Sequence, residues 1–167
     1  MPQPSRLRFD PLSAADASFI LELVNEPGWL QHIGDRNIHD LAAAAAYIAN
    51  GPANSHSQYG FGLDRVNRLD TAEPVGLCGL LQRPYLDAPD IGYAFLQRHH
   101  GQGFATEAVR AVLGDARQRL ALPLLYAITS PDNDASIRVL EKCGFHFERF
   151  MLTPGATVQS RLFVLRF

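Results

Sequence analysis

The sequence predicts a single α/β domain in which helices flank a mixed, mostly antiparallel β-sheet. Three observations indicate this class. The length of 167 residues suits one domain, three strand-like runs follow one another, and helical and strand-like runs alternate after them. Hydrophobic residues make up 47% of the chain and charged residues 19%, which is typical of a globular protein. We find no internal repeat and no low-complexity linker, so residues 1–167 are predicted to form one domain.

The first part of the chain predicts one short strand and two helices. Leu7-Arg8-Phe9 is strand-like, and Ser13 is a candidate N-cap for a first helix that Pro27-Gly28 ends. A second helix is predicted over Ile38–Ala49 because its apolar residues recur at helical spacing. Asn50-Gly51 supplies its stop signal.

Three strands are predicted next, at Gln58–Leu63, Pro74–Leu81 and Ile91–Leu96. Turn and loop residues separate them at positions 67–70 and 84–89. This spacing favours antiparallel hairpins. The remaining elements are predicted as a helix over Phe104–Leu120, a strand over Leu124–Ile128, a helix capped by Asp132 or Asn133 that runs to Lys142 and ends at Gly144, and strands over Phe145–Leu152 and Arg161–Phe167.

Charge and composition argue against several partners. The formal net charge of −2 gives no electrostatic reason to expect nucleic acid or an acidic membrane. The N-terminus lacks the apolar core of a secretory signal, and no apolar stretch approaches the roughly 18 residues of a membrane span. Cys78 and Cys143 are far apart in sequence, so we expect reduced thiols in the cytoplasm. His99 and His100 are adjacent and cannot easily face one metal, so no metal site is expected.

The most informative segment is Ile91–Ala108, where a predicted strand leads through Arg98-x-x-Gly101-x-Gly103 directly into a helix. A helix start offers unpaired backbone N–H groups and a partial positive charge. Glycines let that backbone bend sharply and approach a ligand closely. The pattern therefore predicts a cradle for a phosphate or pyrophosphate.

Two familiar phosphate motifs do not fit this segment. A dinucleotide fingerprint needs a third glycine where this chain has Thr106. A phosphate loop of the NTPase kind needs Gly-Lys-Ser/Thr, which the sequence lacks.

The chain resembles the GNAT superfamily of N-acetyltransferases, and most closely the RimJ/RimL-type group that acetylates ribosomal-protein N-termini. Gly92-Tyr93, the glycine loop and Ala105-Thr106-Glu107-Ala108 match the family in order and spacing. A second motif, from Asn133 to Gly144-Phe145, follows one helix and one strand later. The match covers residues 91–145, and two motifs at this separation are specific.

The resemblance implies acetyl-coenzyme A as co-substrate, bound by residues 91–145 where the sheet is splayed. The strand end Phe95-Leu96 is expected to hydrogen-bond the pantetheine arm, Asn133 and Ser136 to contact that arm near the thioester, and Lys142 to lie near the nucleotide phosphates. The expected pyrophosphate contacts come from Arg98, His99, His100, Gly101, Gln102, Gly103, Phe104 and Ala105.

The resemblance also implies direct attack of a neutral amine on the thioester, which requires a general base and a proton for the leaving thiolate. Asp90 is the acidic candidate for the base, and Tyr93 can line the same cleft. Many family members carry a tyrosine four residues before the Gly-Phe pair, where this chain has Leu140. Ser136, one turn earlier, is a substitute general acid, and water is the other source of that proton.

The resemblance assigns residues 1–60 to the wall of the acceptor pocket. The acceptor is a primary amine, either a protein or peptide N-terminus or a small amine. Nothing in the sequence singles out His32, His39 or His56 there. Two alternatives stay open: a non-catalytic module that senses acetyl-coenzyme A, and a transferase of another acyl group. A homodimer is compatible with the family, although no residue requires one.

Overall fold

The structure, a computed structural model, describes residues 6–167, and the expectation about a signal at residues 1–5 lies outside it. Within the described part, one sheet contains seven strands: Leu7–Pro11 (β1), Leu63–Arg68 (β2), Pro74–Leu81 (β3), Asp90–Phe95 (β4), Leu124–Thr129 (β5), His146–Met151 (β6) and Ser160–Arg166 (β7). The α-helices of the same part are Ala17–Val24 (α1), Pro27–His32 (α2), Leu41–Ile48 (α3), Asn54–Tyr59 (α4), Phe104–Gln118 (α5) and Asp134–Lys142 (α6). Among these helices, none has the length and apolar character that crossing a membrane requires.

The strand order is β1-β2-β3-β4-β5-β7-β6. Neighbouring strands run antiparallel except for β4 and β5, which are parallel. These two strands share a single residue pair, Asp90 with Tyr126, and the N–H of Tyr126 donates to the carbonyl of Pro89 over 3.0 Å. They therefore meet where β4 begins and separate beyond it. This mixed, mostly antiparallel sheet confirms the predicted fold class.

Helices pack on both faces of the sheet, and a hydrophobic cluster lies between the helices and the sheet on each face. One cluster joins the sheet to α5 and α6 and includes Phe104, Val109, Leu140, Phe145 and Phe163. The other joins it to α1, α2 and α3 and includes Ile20, Leu23, Trp29, Ile48 and Leu96. Side chains alternate along β4, because Ile91 and Phe95 belong to the first cluster while Ala94 and Leu96 pack in the second. We call these the α5 face and the α2 face of the sheet.

The predicted helix stop at Pro27-Gly28 is wrong in its position. Helix α1 already ends at Val24, and Pro27 is the first residue of α2. Proline is favoured at the first helical position because its missing N–H would have no partner there. The same dipeptide thus starts a helix instead of ending one.

The prediction for residues 50–63 is also wrong. Asn50-Gly51 does not stop the helix, because the chain continues through a π-helical segment, Ala49–Ala53, into α4. The stop is Gly60, whose φ of 75° is left-handed and whose N–H donates to the carbonyl of His56. The strand expected at Gln58–Leu63 accordingly begins only at Leu63.

Strand β2 runs to Arg68 and so includes Asn67, which was predicted to lie in a turn. Asn67 donates its side-chain N–H to Asp10 over 2.7 Å, and Arg65 pairs with Asp16. These partners lie on other elements, so local patterning does not reveal them, and Asn67 Oδ1 and Arg65 Nε stay without a partner among the described residues.

Candidate functional site

The β4–α5 connection forms a sharp glycine turn. Gly101 and Gly103 have φ values of 76° and 80°, which are left-handed conformations that favour glycine. Gly103 precedes the first residue of α5. The first backbone hydrogen bond of this helix runs from the N–H of Glu107 to the carbonyl of Gly103 over 3.1 Å. The N–H groups of Phe104 and Ala105 thus belong to the first turn, where helix geometry supplies no intrahelical acceptor. The local structure has the form of the predicted anion cradle.

Arg6 braces this turn from the N-terminal end of the chain. Its Nε donates to Glu107 over 2.7 Å and its Nη1 to the carbonyl of Gln102 over 3.0 Å. Its guanidinium also lies 4.7 Å from the centre of the Phe104 ring. Glu107 therefore holds the cradle in place through a residue that is distant in sequence.

The basic side chains beside the glycines have partners outside the turn. Arg98 pairs with Glu22 and, over 3.5 Å, with Glu73. The imidazole of His99 is buried and lies 3.2 Å from Glu73. Because these charges and ring nitrogens are already engaged, the structure offers the backbone of these residues to the cradle more readily than their side chains.

The edge of β4 that faces β5 is available beyond Ile91. The N–H of Leu96 donates to Val75 on β3, and alternation along an antiparallel pair then directs the N–H and C=O groups of Ile91, Tyr93 and Phe95 away from β3. An extended ligand with amide groups can pair with such an edge in the manner of an added strand. At its far end the carbonyl of Phe95 lies 2.8 Å from His100 Nε2.

A pair of hydroxyl groups joins β4 to α6. The Tyr93 hydroxyl lies 2.7 Å from Ser136 Oγ and donates to the Ser136 carbonyl over 3.1 Å. Asn133 caps α6, and its Oδ1 accepts the N–H of Ser136 over 3.2 Å. Burial raises the pKa of Tyr93 above its ordinary value, and the hydrogen bond with Ser136 offsets this only in part. Both hydroxyls therefore keep their protons near neutral pH.

Leu140 and Lys142 lie further along the same helix. Leu140 is fully buried in the cluster on the α5 face, so the usual tyrosine position is occupied by a core residue. Lys142 is exposed in the last turn of α6, and its carbonyl accepts from Arg110 over 3.3 Å. The structure thus places Lys142 at the opposite end of the helix from Asn133.

Asp90 lies where β4 and β5 meet, and its side chain is almost completely buried. Both carboxylate oxygens accept from Arg83 Nε, over 2.9 and 3.0 Å, and Arg83 Nη1 in turn donates to the Tyr85 hydroxyl. Burial raises the pKa of Asp90 to about 6, although the charge of Arg83 acts in the opposite direction. Sequence reasoning identified Asp90 but missed its partner Arg83.

The structure also singles out a histidine that the sequence left undistinguished. His32 Nδ1 lies 2.7 Å from Ser130 Oγ, just beyond the end of β5, and 3.7 Å from Asp132 Oδ1. Because His32 and Ser130 are 98 positions apart, no local signal in the sequence relates them.

Coenzyme A fits these features. The glycine turn can supply backbone N–H groups for its phosphates, and the free edge of β4 can supply partners for its amide arm. The buried Thr129 Oγ1 at the end of β5 also has no hydrogen-bond partner among the described residues. The fold and this site define a coenzyme A-dependent acyltransferase domain.

The comparison with protein families gives the same class. The profile of the GNAT acetyltransferase domain matches residues 6–146 of this chain. The chain therefore belongs to the GNAT acetyltransferase family, which confirms the resemblance inferred from the two motifs.

Individual proteins of known sequence or structure are also similar. YkkB, an uncharacterized protein of Bacillus subtilis, is 35% identical over 58% of this chain, an alignment that spans 58% of YkkB. An acetyltransferase of Agrobacterium tumefaciens superposes with a TM-score of 0.82 at 26% identity, covering 98% of this chain and 92% of its own. RimL, a ribosomal L7/L12 α-N-protein acetyltransferase solved with coenzyme A, gives a TM-score of 0.83 at 17% identity and shares the fold over 99% of this chain and 96% of RimL.

Proposed function

We propose that this chain transfers the acetyl group of acetyl-coenzyme A to a primary amine by direct attack. The observation that carries the proposal is the combination, along one strand, of a glycine cradle at the end of β4 with an unpaired β4 edge and the Tyr93–Ser136 hydroxyl pair. An extended molecule that carries a phosphate, an amide arm and a thioester in this order can bind to these three features in turn.

The cofactor contacts follow from the geometry. Backbone groups of the stretch from Arg98 to Ala105 bind the pyrophosphate, while the guanidinium of Arg98 stays with its two carboxylate partners. The β4 edge from Tyr93 to Phe95 pairs with the pantetheine arm. Asn133 holds the first turn of α6 so that Ser136 faces the thioester end. The thioester itself supplies an activated acyl group with a thiolate leaving group.

Two hydroxyl groups can supply the proton that the leaving sulfur needs. Ser136 Oγ is the nearer candidate, and Tyr93 supports it through their 2.7 Å contact. A thiol has an ordinary pKa of about 8.5, so water remains a competing donor. Ser136 thereby takes the role that a tyrosine at the position of Leu140 has in many relatives.

The acceptor is a primary amine on a protein N-terminus or on a small molecule. The similarity to RimL, which acts on a protein N-terminus, supports the first class. The helices on the α2 face, formed within residues 1–60, wall this acceptor pocket.

A second function, sensing of acetyl-coenzyme A without turnover, is favoured by one observation. Leu140 is fully buried and cannot donate a proton where many relatives have tyrosine. Transfer of another acyl group is the remaining alternative, and a different thioester in the same assay addresses it.

The test is thiol release from acetyl-coenzyme A by the purified protein across a panel of amines, with cofactor binding measured by calorimetry in parallel. The panel contains N-terminal peptides, polyamines, aminoglycosides and amino acids, and succinyl-coenzyme A serves as the comparison thioester. Amine-dependent release supports the transferase and identifies its acceptor class. Tight binding without release from any acceptor supports the sensor, and absence of binding contradicts both.

A further inference from the structure

Helix α2 spans the ends of the two strands that separate. At its start, Glu26 Oε2 accepts the N–H of Gln97, just beyond the end of β4, over 2.9 Å. At its end, His32 contacts Ser130, just beyond the end of β5. The helix therefore lies across the open gap between β4 and β5 on the α2 face, where the proposed acceptor pocket lies.

The contacts of His32 favour one arrangement of its ring protons. Ser130 Oγ and Asp132 Oδ1 both face Nδ1, at 2.7 and 3.7 Å. The Ser130 hydroxyl can donate or accept and Asp132 is beyond hydrogen-bond distance, but the negative charge of Asp132 on this side favours a proton on Nδ1, which leaves the lone pair on Nε2. With 20% of its side chain exposed, His32 is partly buried and yet accessible.

One buried polar atom beside this contact lacks a hydrogen-bond partner. Trp29 lies three residues before His32 on the same side of α2 and is 8% exposed, and its Nε1 has no hydrogen-bond partner among the described residues. Leaving a buried polar group unpaired is destabilising. The unpaired Trp29 Nε1, one helical turn from His32, therefore favours a place where a polar ligand binds.

We propose that His32 is the general base that takes the proton from the acceptor amine, an inference that rests on the proposed function. The ammonium proton moves to His32 Nε2, and the freed nitrogen lone pair forms the C–N bond to the acetyl carbonyl carbon. The C–S bond breaks, and its electron pair leaves on sulfur, which is protonated by Ser136 or by water. The nitrogen's second proton and that on His32 pass to solvent, and solvent restores the Ser136 proton.

His32 is better placed for this role than Asp90, the candidate from the sequence. Both oxygens of Asp90 accept from Arg83, and only 1% of Asp90 is exposed. A base within hydrogen-bond reach of the amine needs a free lone pair and access. The hydrogen bond of His32 uses Nδ1 and leaves Nε2 for the substrate.

The first test needs no substrate. Nitrogen-15 NMR of histidine-labelled protein reports the tautomer of each imidazole, and His32→Asn assigns the His32 signals by their loss. We expect the neutral form of His32 to carry its proton on Nδ1, and Ser130→Ala to weaken that preference. A His32 with its proton on Nε2 contradicts the proposal, because the lone pair would then face Ser130.

The second test is kinetic. His32→Asn retains an amide that can donate to Ser130 but lacks a basic nitrogen, and His32→Gln is a second variant in case the first folds poorly. We expect kcat/KM to fall on the order of 100-fold and its rise with pH to disappear, while acetyl-coenzyme A affinity by calorimetry is unchanged. His39→Asn is the matched control, because His39 is an exposed histidine that pairs with Asp35 over 3.8 Å.

The outcomes separate the two proposals. If the wild type turns over an amine and both His32 variants keep its rate and pH profile, the assignment of His32 alone is overturned. If the wild type turns over no amine, the proposed function fails, and the role of His32 fails with it.

Discussion

The hydroxyl of Tyr93 and the Oγ of Ser136 lie 2.7 Å apart, although the two residues are 43 positions apart and belong to β4 and α6. This contact joins the free edge of β4 to the helix that carries the second family motif. Because burial keeps the Tyr93 hydroxyl protonated, the pair can relay a proton but cannot serve as an anionic base near neutral pH. It therefore suits the donor side of the reaction.

Ser136→Ala is predicted to lower kcat on the order of 100-fold, the range for loss of a positioned acid. The start of α6 should stay intact, because the cap contact uses the backbone N–H of Ser136. Tyr93→Phe, which keeps the ring, should have a smaller effect, and the double variant should be no worse than Ser136→Ala. Steady-state thiol release measures this series. An unchanged kcat in Ser136→Ala would identify water as the proton donor.

Gly101→Ala is predicted to weaken acetyl-coenzyme A binding by about tenfold, equivalent to one charge-assisted hydrogen bond. Gly60→Ala is a matched control, because the φ values are 76° and 75° and an added Cβ meets no atom within 4 Å at either site. Both variants should lose about 1–2 kcal/mol of unfolding free energy, since both force an L-residue into a left-handed conformation. Calorimetric affinity distinguishes them. Equal affinities in the two variants would remove Gly101 from the cradle.

Asn133→Ala is predicted to lower the free energy of unfolding by about 1 kcal/mol, because α6 loses its N-cap. Asn133→Asp retains a capping oxygen and should restore most of that stability. Urea unfolding measures both variants. If Asn133→Asp restores stability but not acetyl-coenzyme A affinity, Asn133 contacts the cofactor as well as capping the helix. An unchanged free energy of unfolding in Asn133→Ala would contradict the capping role.

Asp90 is predicted to make stability depend on pH. Its pKa is raised from 3.8 to about 6, so the folded state holds the proton more tightly than the unfolded state does. The stability that this contributes is complete below about pH 4 and is lost as the pH rises through 6. Asp90→Asn does not titrate, so the unfolding free energy of the wild type relative to this variant should fall from pH 4 to pH 7. A difference that rises or stays constant would show that Arg83 dominates the pKa.

Short-range features of the site were predictable from the sequence. The left-handed turn at Gly101 and Gly103 and the helix cap at Asn133 each involve only a few neighbouring residues. Each feature favours a particular residue type, which can be read directly from the sequence. The family followed from two such motifs at a characteristic separation, and the family profile confirms it. The failure at residues 50–63 has a local cause too, because the glycine that ends the helix is Gly60 and not Gly51.

Contacts between distant segments could not be predicted from the sequence. Arg6 with Glu107 and His32 with Ser130 are 101 and 98 positions apart, and no periodicity connects such pairs. Arg83 and Asp90 are near in sequence, but their pairing depends on how the β3–β4 hairpin folds. The two carboxylate partners of Arg98, on α1 and in the β2–β3 connection, are equally a product of the assembled domain.

The sequence by itself determined the family, the order of most elements and the glycine turn that we propose as the cradle, because these depend on propensities and spacings within short segments. Only the tertiary structure decided where β4 and β5 separate, which side chains face that gap, and which candidates are already paired. The reason is physical: burial, charge neutralisation and hydrogen-bond geometry depend on neighbours in space. The difference between a buried, paired Asp90 and an accessible His32 could not be read from the chain.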